Sequence, residues 1–275
     1  MSFSQSESIP IFSKKELRKN RPIYIGISTG LNSSNFRDFA TSPLIYKGIL
    51  KHIALSCIKY DQKRESEIGL SYSFGNCKNS YNRHLTRSEV KTLSIYHSQL
   101  YQLNKLSSEK LNIKIGGLFN TIGNLRINES LQNNAEGIEI IPTFFGSIKI
   151  VKDVSRKEAK DKKFFFIKYH LKQRFRNLSF RLNVGLINSS FRNGFVYSGQ
   201  STILNKPEPY DDYQFMVFSG FRASGVLNYT ISLKNKNKVQ LSYLWDAYKT
   251  GGELDKFEMA SHTFKLTFLF NTNNK

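Results

Sequence analysis

Apolar and polar residues alternate along most of this chain with a period of two. Between residues 178 and 186 (LSFRLNVGL), leucine, phenylalanine and valine occupy the even-numbered positions, and serine, arginine, asparagine and glycine the odd-numbered ones. The same alternation occurs in five other segments, at 68–74, 165–172, 227–233, 239–245 and 263–270. A helical face would need apolar residues at steps of three and four, which these segments lack. The pattern therefore predicts β-strands with one apolar and one polar face.

Extending this pattern predicts about twelve strands, with ten or fourteen also compatible because strand ends are uncertain by two to four residues. They lie at 22–29, 44–60, 64–75, 90–104, 112–127, 138–152, 163–175, 177–188, 213–222, 225–235, 237–248 and 257–271. Several are longer than strands typical of soluble proteins. Short polar connections alternate with long ones at 76–89, 189–212 and 249–256, which are rich in Asn, Ser, Gly and charged residues. This rhythm indicates consecutive antiparallel hairpins.

The composition of the two strand faces indicates which β architecture they form. The apolar faces are rich in Phe, Tyr, Leu and Ile, whereas the polar faces hold Gly, Ser, Thr and Asn as often as Lys or Glu. An apolar band with aromatic girdles outside and a crowded polar lumen inside are typical of a transmembrane β-barrel, whose strands need about nine to eleven residues to span. We therefore predict an all-β, antiparallel up-and-down transmembrane β-barrel at 22–275. Residues 1–21 are expected to be a basic N-terminal extension, either a periplasmic tail or a plug.

The composition narrows the class of protein. The 275 residues include 41 Lys and Arg and 21 Asp and Glu, which give a formal net charge of +20. Aromatic residues make up 13%. That aromatic content argues against a disordered basic tail. No apolar run reaches the roughly 18 residues of a transmembrane helix. The first twenty residues hold no apolar signal core, so we interpret the chain as a mature outer-membrane protein whose signal peptide was removed.

The positive charge raises the question of a nucleic-acid partner. The chain contains no recognisable nucleic-acid-binding motif, and its Lys and Arg are spread over connections rather than concentrated on one face. We therefore expect no nucleic-acid partner. Charge in the connections suits outer-membrane lipid and the phosphates of lipopolysaccharide, and other outer-membrane proteins are possible partners.

Several stretches resemble a known group of proteins. The C-terminal SHTFKLTFLFNTNNK is similar to the last strand of an outer-membrane barrel, although five polar residues follow its final aromatic residue, Phe270. The stretches FRDFATSPLIYKG (36–48), NLRINESLQNNAEG (124–137) and YLWDAY (243–248) resemble uncharacterised outer-membrane proteins from Bacteroidota. The resemblance implies a location in the outer membrane. It implies no activity, because none of these motifs is a catalytic signature.

Candidate catalytic, redox and metal sites are weak. His97 adjoins Ser98 and His262 adjoins Ser261, but adjacent strand residues point to opposite faces, so neither pair can act as base and nucleophile. Cys57 would lie opposite residue 68 of a hairpin, about 30 Å from Cys77, so two free thiols are expected. No Cys/His cluster with metal-ligand spacing exists. We therefore expect no enzyme activity, no cofactor and no metal.

Two groups of charged residues are of greater interest. The acidic spot formed by Glu208, Asp211 and Asp212 could hold Ca²⁺, although a solvated loop is the favoured interpretation. A second acidic patch, expected to be solvated or paired with Lys249 and Lys256, comprises Asp246, Glu253, Asp255 and Glu258. The basic residues predicted to face the lumen are Lys168, His170, Lys172, Arg181 and Lys265. They would favour anions in a pore, but pairing with inward carboxylates is expected more often in a narrow barrel.

Three functions remain open. The first is a non-enzymatic structural or accessory subunit of an outer-membrane complex, with a lumen filled by side chains. The second is a narrow, anion-preferring porin or channel. The third is a soluble, basic, β-rich binding module.

Overall fold

A computed structural model describes residues 21–81, 84–134, 136–156, 158–193, 213–252 and 256–272. In this part of the chain the strands are β1 (Ile23–Asp38), β2 (Ser42–Tyr60), β3 (Arg64–Tyr81), β4 (His84–Gln102), β5 (Leu111–Ile127), β6 (Glu136–Asp153), β7 (Lys160–Phe164), β8 (Ile167–Leu171), β9 (Arg176–Asn193), β10 (Tyr213–Val217), β11 (Phe221–Ser232), β12 (Lys238–Lys249) and β13 (Phe257–Asn271). Two short 3₁₀ helices lie at Asn104–Leu106 and Glu129–Asn134. Among these residues, no helix combines the length and apolar character needed to cross a membrane.

Ten strands close into an antiparallel barrel. β1 to β6 pair in sequence, β6 pairs with β9, and β9 is followed by β11, β12 and β13. β13 then pairs with β1 along its whole length, from Tyr24 opposite Asn271 to Asp38 opposite Phe257. All these pairings are antiparallel, so the predicted closed antiparallel barrel is confirmed. The predicted number of about twelve wall strands is too high, because the wall has ten.

The two surplus strands have separate explanations. The predicted strand at 163–175 is instead a hairpin of β7 and β8, which pair only with each other inside the connection between β6 and β9. The predicted strands at 213–222 and 225–235 occupy one wall position, because β10 and β11 both pair with β9. Positive φ angles at Phe218 (55°) and Gly220 (80°) break the backbone between them. The period-two pattern thus identified these segments as strands but could not show where they pair.

The connection predicted at 76–89 is also mostly strand. β3 and β4 pair as far as Tyr81 opposite His84, so their hairpin continues beyond the predicted strand ends. The polar composition of this segment suggested a loop. A paired ladder satisfies the backbone groups whether or not its side chains are apolar, so polar residues do not end it.

The faces of the barrel are reversed relative to a water-soluble protein. Leu178, Phe180 and Leu182 of β9 are exposed on the outside, while Ser179 and Asn183 between them are buried inside. Exposed large apolar side chains recur on the outer face of every wall strand. The predicted apolar-out, polar-in arrangement is therefore confirmed.

The cysteines lie as predicted. Cys57 pairs in register with Ile68, and Cys77 lies further along the same hairpin, opposite Gly48. Both thiols are free, Cys57 on the exposed outer face and Cys77 buried.

The two ends of the barrel are here called the terminal end and the distal end. The terminal end is where β1 begins and β13 ends, and the connections 61–63, 103–110, 154–175 and 233–237 lie there. The distal end is the opposite one, where β1 continues into β2 through residues 39–41. An even number of wall strands places both ends of the wall segment at the same side of the barrel.

Removing the β7–β8 hairpin tests the ten-strand wall. Residues 157–173 can be replaced with an Asn-Gly turn, because the amide of Arg156 already donates to the carbonyl of Arg174 at 2.9 Å. We expect the shortened barrel to fold, with a change below about 0.5 kcal/mol in the free energy of unfolding. Heat-modifiable gel mobility and chemical unfolding in detergent would measure both. A shortened chain that cannot close, as expected for a control lacking β11, would contradict the assignment.

Candidate functional site

The interior of the barrel near its distal end is filled by side chains, here called the distal layer. Its apolar members, each at most 7% exposed, are Phe36, Tyr46, Leu50, Cys77, Val90, Ile122, Ile141, Tyr248, Phe257 and Met259. They come from β1 to β6, β12 and β13, so they meet from most of the circumference. The rings of Phe36 and Tyr46 stack with centroids 5.1 Å apart. These apolar side chains form one connected cluster, whereas most of the other buried side chains are polar.

Four charged side chains complete the distal layer. Asp38 accepts hydrogen bonds from Arg126 (2.6 Å) and Arg192 (2.7 Å), and Arg126 also donates to Glu139. Two cations and two carboxylates are thereby neutralised, and none of the four side chains is more than 5% exposed. The Arg126 guanidinium lies 4.6 Å from the ring centre of Phe257. Because all four side chains are buried, this network is costly to break at any one member.

A second set of hydrogen-bonded polar side chains connects the distal layer to the rest of the interior. Arg222 donates to both carboxylate oxygens of Asp246, at 3.2 and 2.7 Å, and its guanidinium lies 5.1 Å from the ring centre of Phe145. The amide of Asn124 donates to the Tyr248 hydroxyl at 2.6 Å. Asp246, predicted to belong to a solvated acidic patch, is therefore paired inside the barrel.

The three internal stretches that carry the sequence resemblance meet in this region. Residues 36–48 supply Phe36 and Asp38, and residues 124–137 supply Arg126. Residues 243–248 supply the Asp246 and Tyr248 just described. Segments far apart in the sequence thus contribute to one buried structure.

A cavity of about 620 Å³ occupies the interior between the distal layer and the terminal end. Its innermost lining includes Ile122, Tyr248 and Met259 of the distal layer. Its lining at the other side includes residues of the terminal-end connections, among them Asp61, Gln62 and Glu109–Lys110. The cavity therefore opens toward the terminal end and is closed by the distal layer at its inner limit.

Charged side chains from five strands project into a section of this cavity that begins next to its mouth, where Lys114 Nζ donates to the carbonyl of Asp61 at 2.9 Å. Glu65 accepts hydrogen bonds from Lys114 (3.3 Å) and from Lys149. Arg181 lies 3.4 Å from Glu67, and Lys265 also faces Glu67. Four cations and two carboxylates therefore line this section.

Close packing positions Glu67. The hydroxyl of Tyr96 donates to its carboxylate at 2.8 Å. The Tyr96 ring lies over Gly69, where a Cβ atom would be 2.5 Å from the ring. Glycine is therefore required here to let the tyrosine reach across from the neighbouring strand.

The structure separates the five basic residues predicted to face the lumen. Arg181 and Lys265 line the cavity. Lys168 and His170 lie in β8 and Lys172 follows it, so this segment is outside the barrel wall, contrary to the prediction. The predicted inward parity assumed a wall strand, and the segment is a separate hairpin. His170 instead contacts Asp161 of β7 at 2.6 Å.

Sequence reasoning did not single out Lys114, Lys149, Glu65 or Glu67. Each falls on the inward parity of its strand, so strand alternation could have identified them. Asp38, Arg126 and Glu139 also fall on the inward parity of their strands, but they lie near the ends of different strands and the pattern does not show that they meet.

The other candidate sites are placed as follows. His97 is exposed outside and Ser98 buried inside, as strand geometry requires. Lys249 pairs with Glu258 at 3.1 Å, as predicted. Glu208, Asp211, Asp212, Glu253 and Asp255 lie outside the described residues, as do residues 1–20 of the predicted extension. No cluster of three potential metal ligands occurs within the described ranges.

Comparison with known proteins yields structural similarity only. No protein-family model matches the chain, and no curated protein sequence does. Neisserial surface protein A has 7% sequence identity, with 90% of this chain and 95% of that chain covered and a TM-score of 0.35. The transport unit of the autotransporter AIDA-I from Escherichia coli has 10% identity, coverage of 94% and 93%, and a TM-score of 0.36. The P. putida toluene transporter TodX has 7% identity, coverage of 93% and 91%, and a TM-score of 0.32.

Proposed function

We propose that this chain is an integral outer-membrane β-barrel that serves as a non-enzymatic structural or accessory component and forms no open pore. The observation that carries the proposal is the reversal of its faces. A continuous apolar outer surface is incompatible with water as the only solvent. A closed barrel satisfies its backbone hydrogen bonds within the wall, which makes it one of the two structures that can span a bilayer. Barrels with an apolar outer band and a polar interior are characteristic of outer membranes.

The distal layer supports the absence of an open pore. Its side chains come from strands around the barrel and are almost completely buried, and its charges neutralise one another. A conducting pore needs a continuous water-filled path, and this layer interrupts it.

The alternative is a narrow, anion-preferring channel. Arg181 and Lys265 in the cavity favour it, since basic side chains in a lumen attract anions. It would require the distal layer to move aside. Lipid, lipopolysaccharide and other outer-membrane proteins are the partners proposed for either role.

Fractionation and electrical recording together test the proposal. The protein should co-purify with outer membranes and show heat-modifiable gel mobility, whereas a protein that stays soluble without detergent would contradict the membrane assignment. In planar bilayers the purified barrel should show no discrete openings. Anion-selective steps that weaken in Arg181→Glu would instead establish the channel. Lys172→Glu is a matched control, because Lys172 lies outside the wall.

A further inference from the structure

We propose that the cavity contains a binding site for a small, free oxyanion of the phosphate type, held by His52 and Lys265. This inference goes beyond a structural role, and it does not depend on whether the barrel conducts.

The location of the site is defined by strand register. His52 of β2 and Lys265 of β13 are both paired with Gly30 of β1, so the three residues form one row across three neighbouring strands. All three lie on the inward face, and His52 and Lys265 both line the cavity. Neighbouring strands are about 4.8 Å apart, which puts the backbones of His52 and Lys265 roughly 10 Å apart. At Gly30 the two strands are closely packed: a Cβ atom there would lie 2.1 Å from the carbonyl oxygen of Phe264 and 2.9 Å from Cβ of Lys265, so only glycine leaves room for the Lys265 side chain to enter the cavity.

The unpaired groups of His52 and Lys265 are suited to an anion, since Nε2 of His52 carries a hydrogen and can donate when the Ser73 hydroxyl donates to Nδ1. Nδ1 of His52 is hydrogen bonded to Ser73 Oγ at 2.8 Å, but its Nε2 atom has no hydrogen-bond partner in the described part of the chain. The residue is only 4% exposed, so an unpaired ring nitrogen is costly unless a ligand or water engages it. Among the described residues, Lys265 forms no ion pair within 4.0 Å.

Over the whole cavity lining six Lys and Arg balance six Asp and Glu, but the charges between the mouth and the distal layer favour an anion. Glu65 is already engaged by two lysines, and Glu67 by Arg181 and by the Tyr96 hydroxyl. Four cations in this part of the cavity exceed the two carboxylates Glu65 and Glu67 by two positive charges; the cations are Lys114, Lys149, Arg181 and Lys265. The acidic residues Asp61 and Glu109 are located at the cavity mouth, and Asp61 there pairs with Arg21 at 2.9 Å. A bound anion would neutralise this local excess without rearrangement of these pairs.

The size and access of the cavity fit a solute rather than a macromolecule. A volume of about 620 Å³ lies within the range typical of small-molecule sites. The wall excludes a lipid in the surrounding bilayer, and the distal layer leaves the terminal end as the entrance. Charge-assisted hydrogen bonds from Lys265 and Arg181 would hold the oxygens of the anion.

Titration calorimetry on the full chain, folded in an uncharged detergent, tests the site. Inorganic phosphate and succinate are titrated at constant ionic strength, with chloride as the reference anion. We expect saturable phosphate binding, weaker succinate binding, and no saturable heat with chloride. Lys265→Met should weaken phosphate binding about tenfold or more, because one charge-assisted contact is lost. Lys105→Met removes an exposed lysine at the terminal end and should leave binding unchanged.

Two outcomes would overturn the inference. One is equal affinity for phosphate in Lys265→Met and the unaltered chain. The other is a phosphate response no different from that of chloride, which would indicate screening alone. His52→Gln, whose side-chain amide can still donate, gives a second readout should Lys265→Met fail to fold, and it should weaken binding less than His52→Leu. Because binding is measured in detergent, its failure would leave the membrane assignment unaffected.

Discussion

Replacing Arg126 with methionine should destabilise the folded barrel by about 3–5 kcal/mol, the loss that follows when one partner of a buried ion pair is removed. Arg126 donates to both Asp38 and Glu139, and all three side chains are almost fully buried. Its removal leaves two carboxylates facing the single guanidinium of Arg192. Unfolding by guanidinium chloride in detergent, followed through Trp245, the only tryptophan in the chain, would measure the change.

The double variant Arg126→Met with Glu139→Gln is the matched control. It leaves Asp38 paired with Arg192 at 2.7 Å, so the charges balance again. We expect it to recover a substantial part of the lost stability, although it carries two substitutions. A double variant less stable than Arg126→Met would show that packing, rather than charge balance, governs the distal layer.

Leu93→Lys should destabilise the barrel by about 2–4 kcal/mol in a bilayer, the cost of a lysine on the lipid face near the membrane centre. Leu93 lies near the middle of β4, and its side chain is 43% exposed on the outer surface. In lipid vesicles this charge would contact acyl chains. Unfolding in vesicles of phosphatidylcholine gives the free energy.

Ser94→Lys introduces the same charge one residue further along the strand. Ser94 lines the cavity, where water and the side chain of Asn120 are accessible to the new ammonium group. We expect its cost to be smaller by about 2 kcal/mol, because the lysine avoids the hydrocarbon. Equal losses in the two variants would mean that the outer face does not contact lipid.

The strand pattern predicted the architecture because alternation reports directly on faces. Leu178, Phe180 and Leu182 could be assigned to the outside, and Ser179 and Asn183 to the inside, without knowing any partner strand. The register of the first hairpins followed in the same way, since the position of Cys57 opposite Ile68 depends only on the turn between them.

Long-range features could not be obtained in this way. The pattern in 165–172 is as regular as that of a wall strand, yet β8 pairs only with β7. Pairing depends on which strand edges of the sheet are free to form hydrogen bonds, and the sequence of a single segment does not show this. The same limit applies to the cluster of Asp38, Arg126, Glu139 and Arg192, whose members come together only when the barrel has closed.

The seam between β1 and β13 has a consequence for how the chain reaches this structure. It joins Tyr24 to Asn271, so its hydrogen bonds form between residues at opposite ends of the barrel domain. Contacts of such long sequence separation are slow to form, because much of the chain must be ordered first. Until then, β1 and β13 each present an unpaired edge on which another strand could add. The interval before seam formation is therefore when this protein is most exposed to aggregation, and when a folding assistant that protects β-strand edges would have the greatest effect.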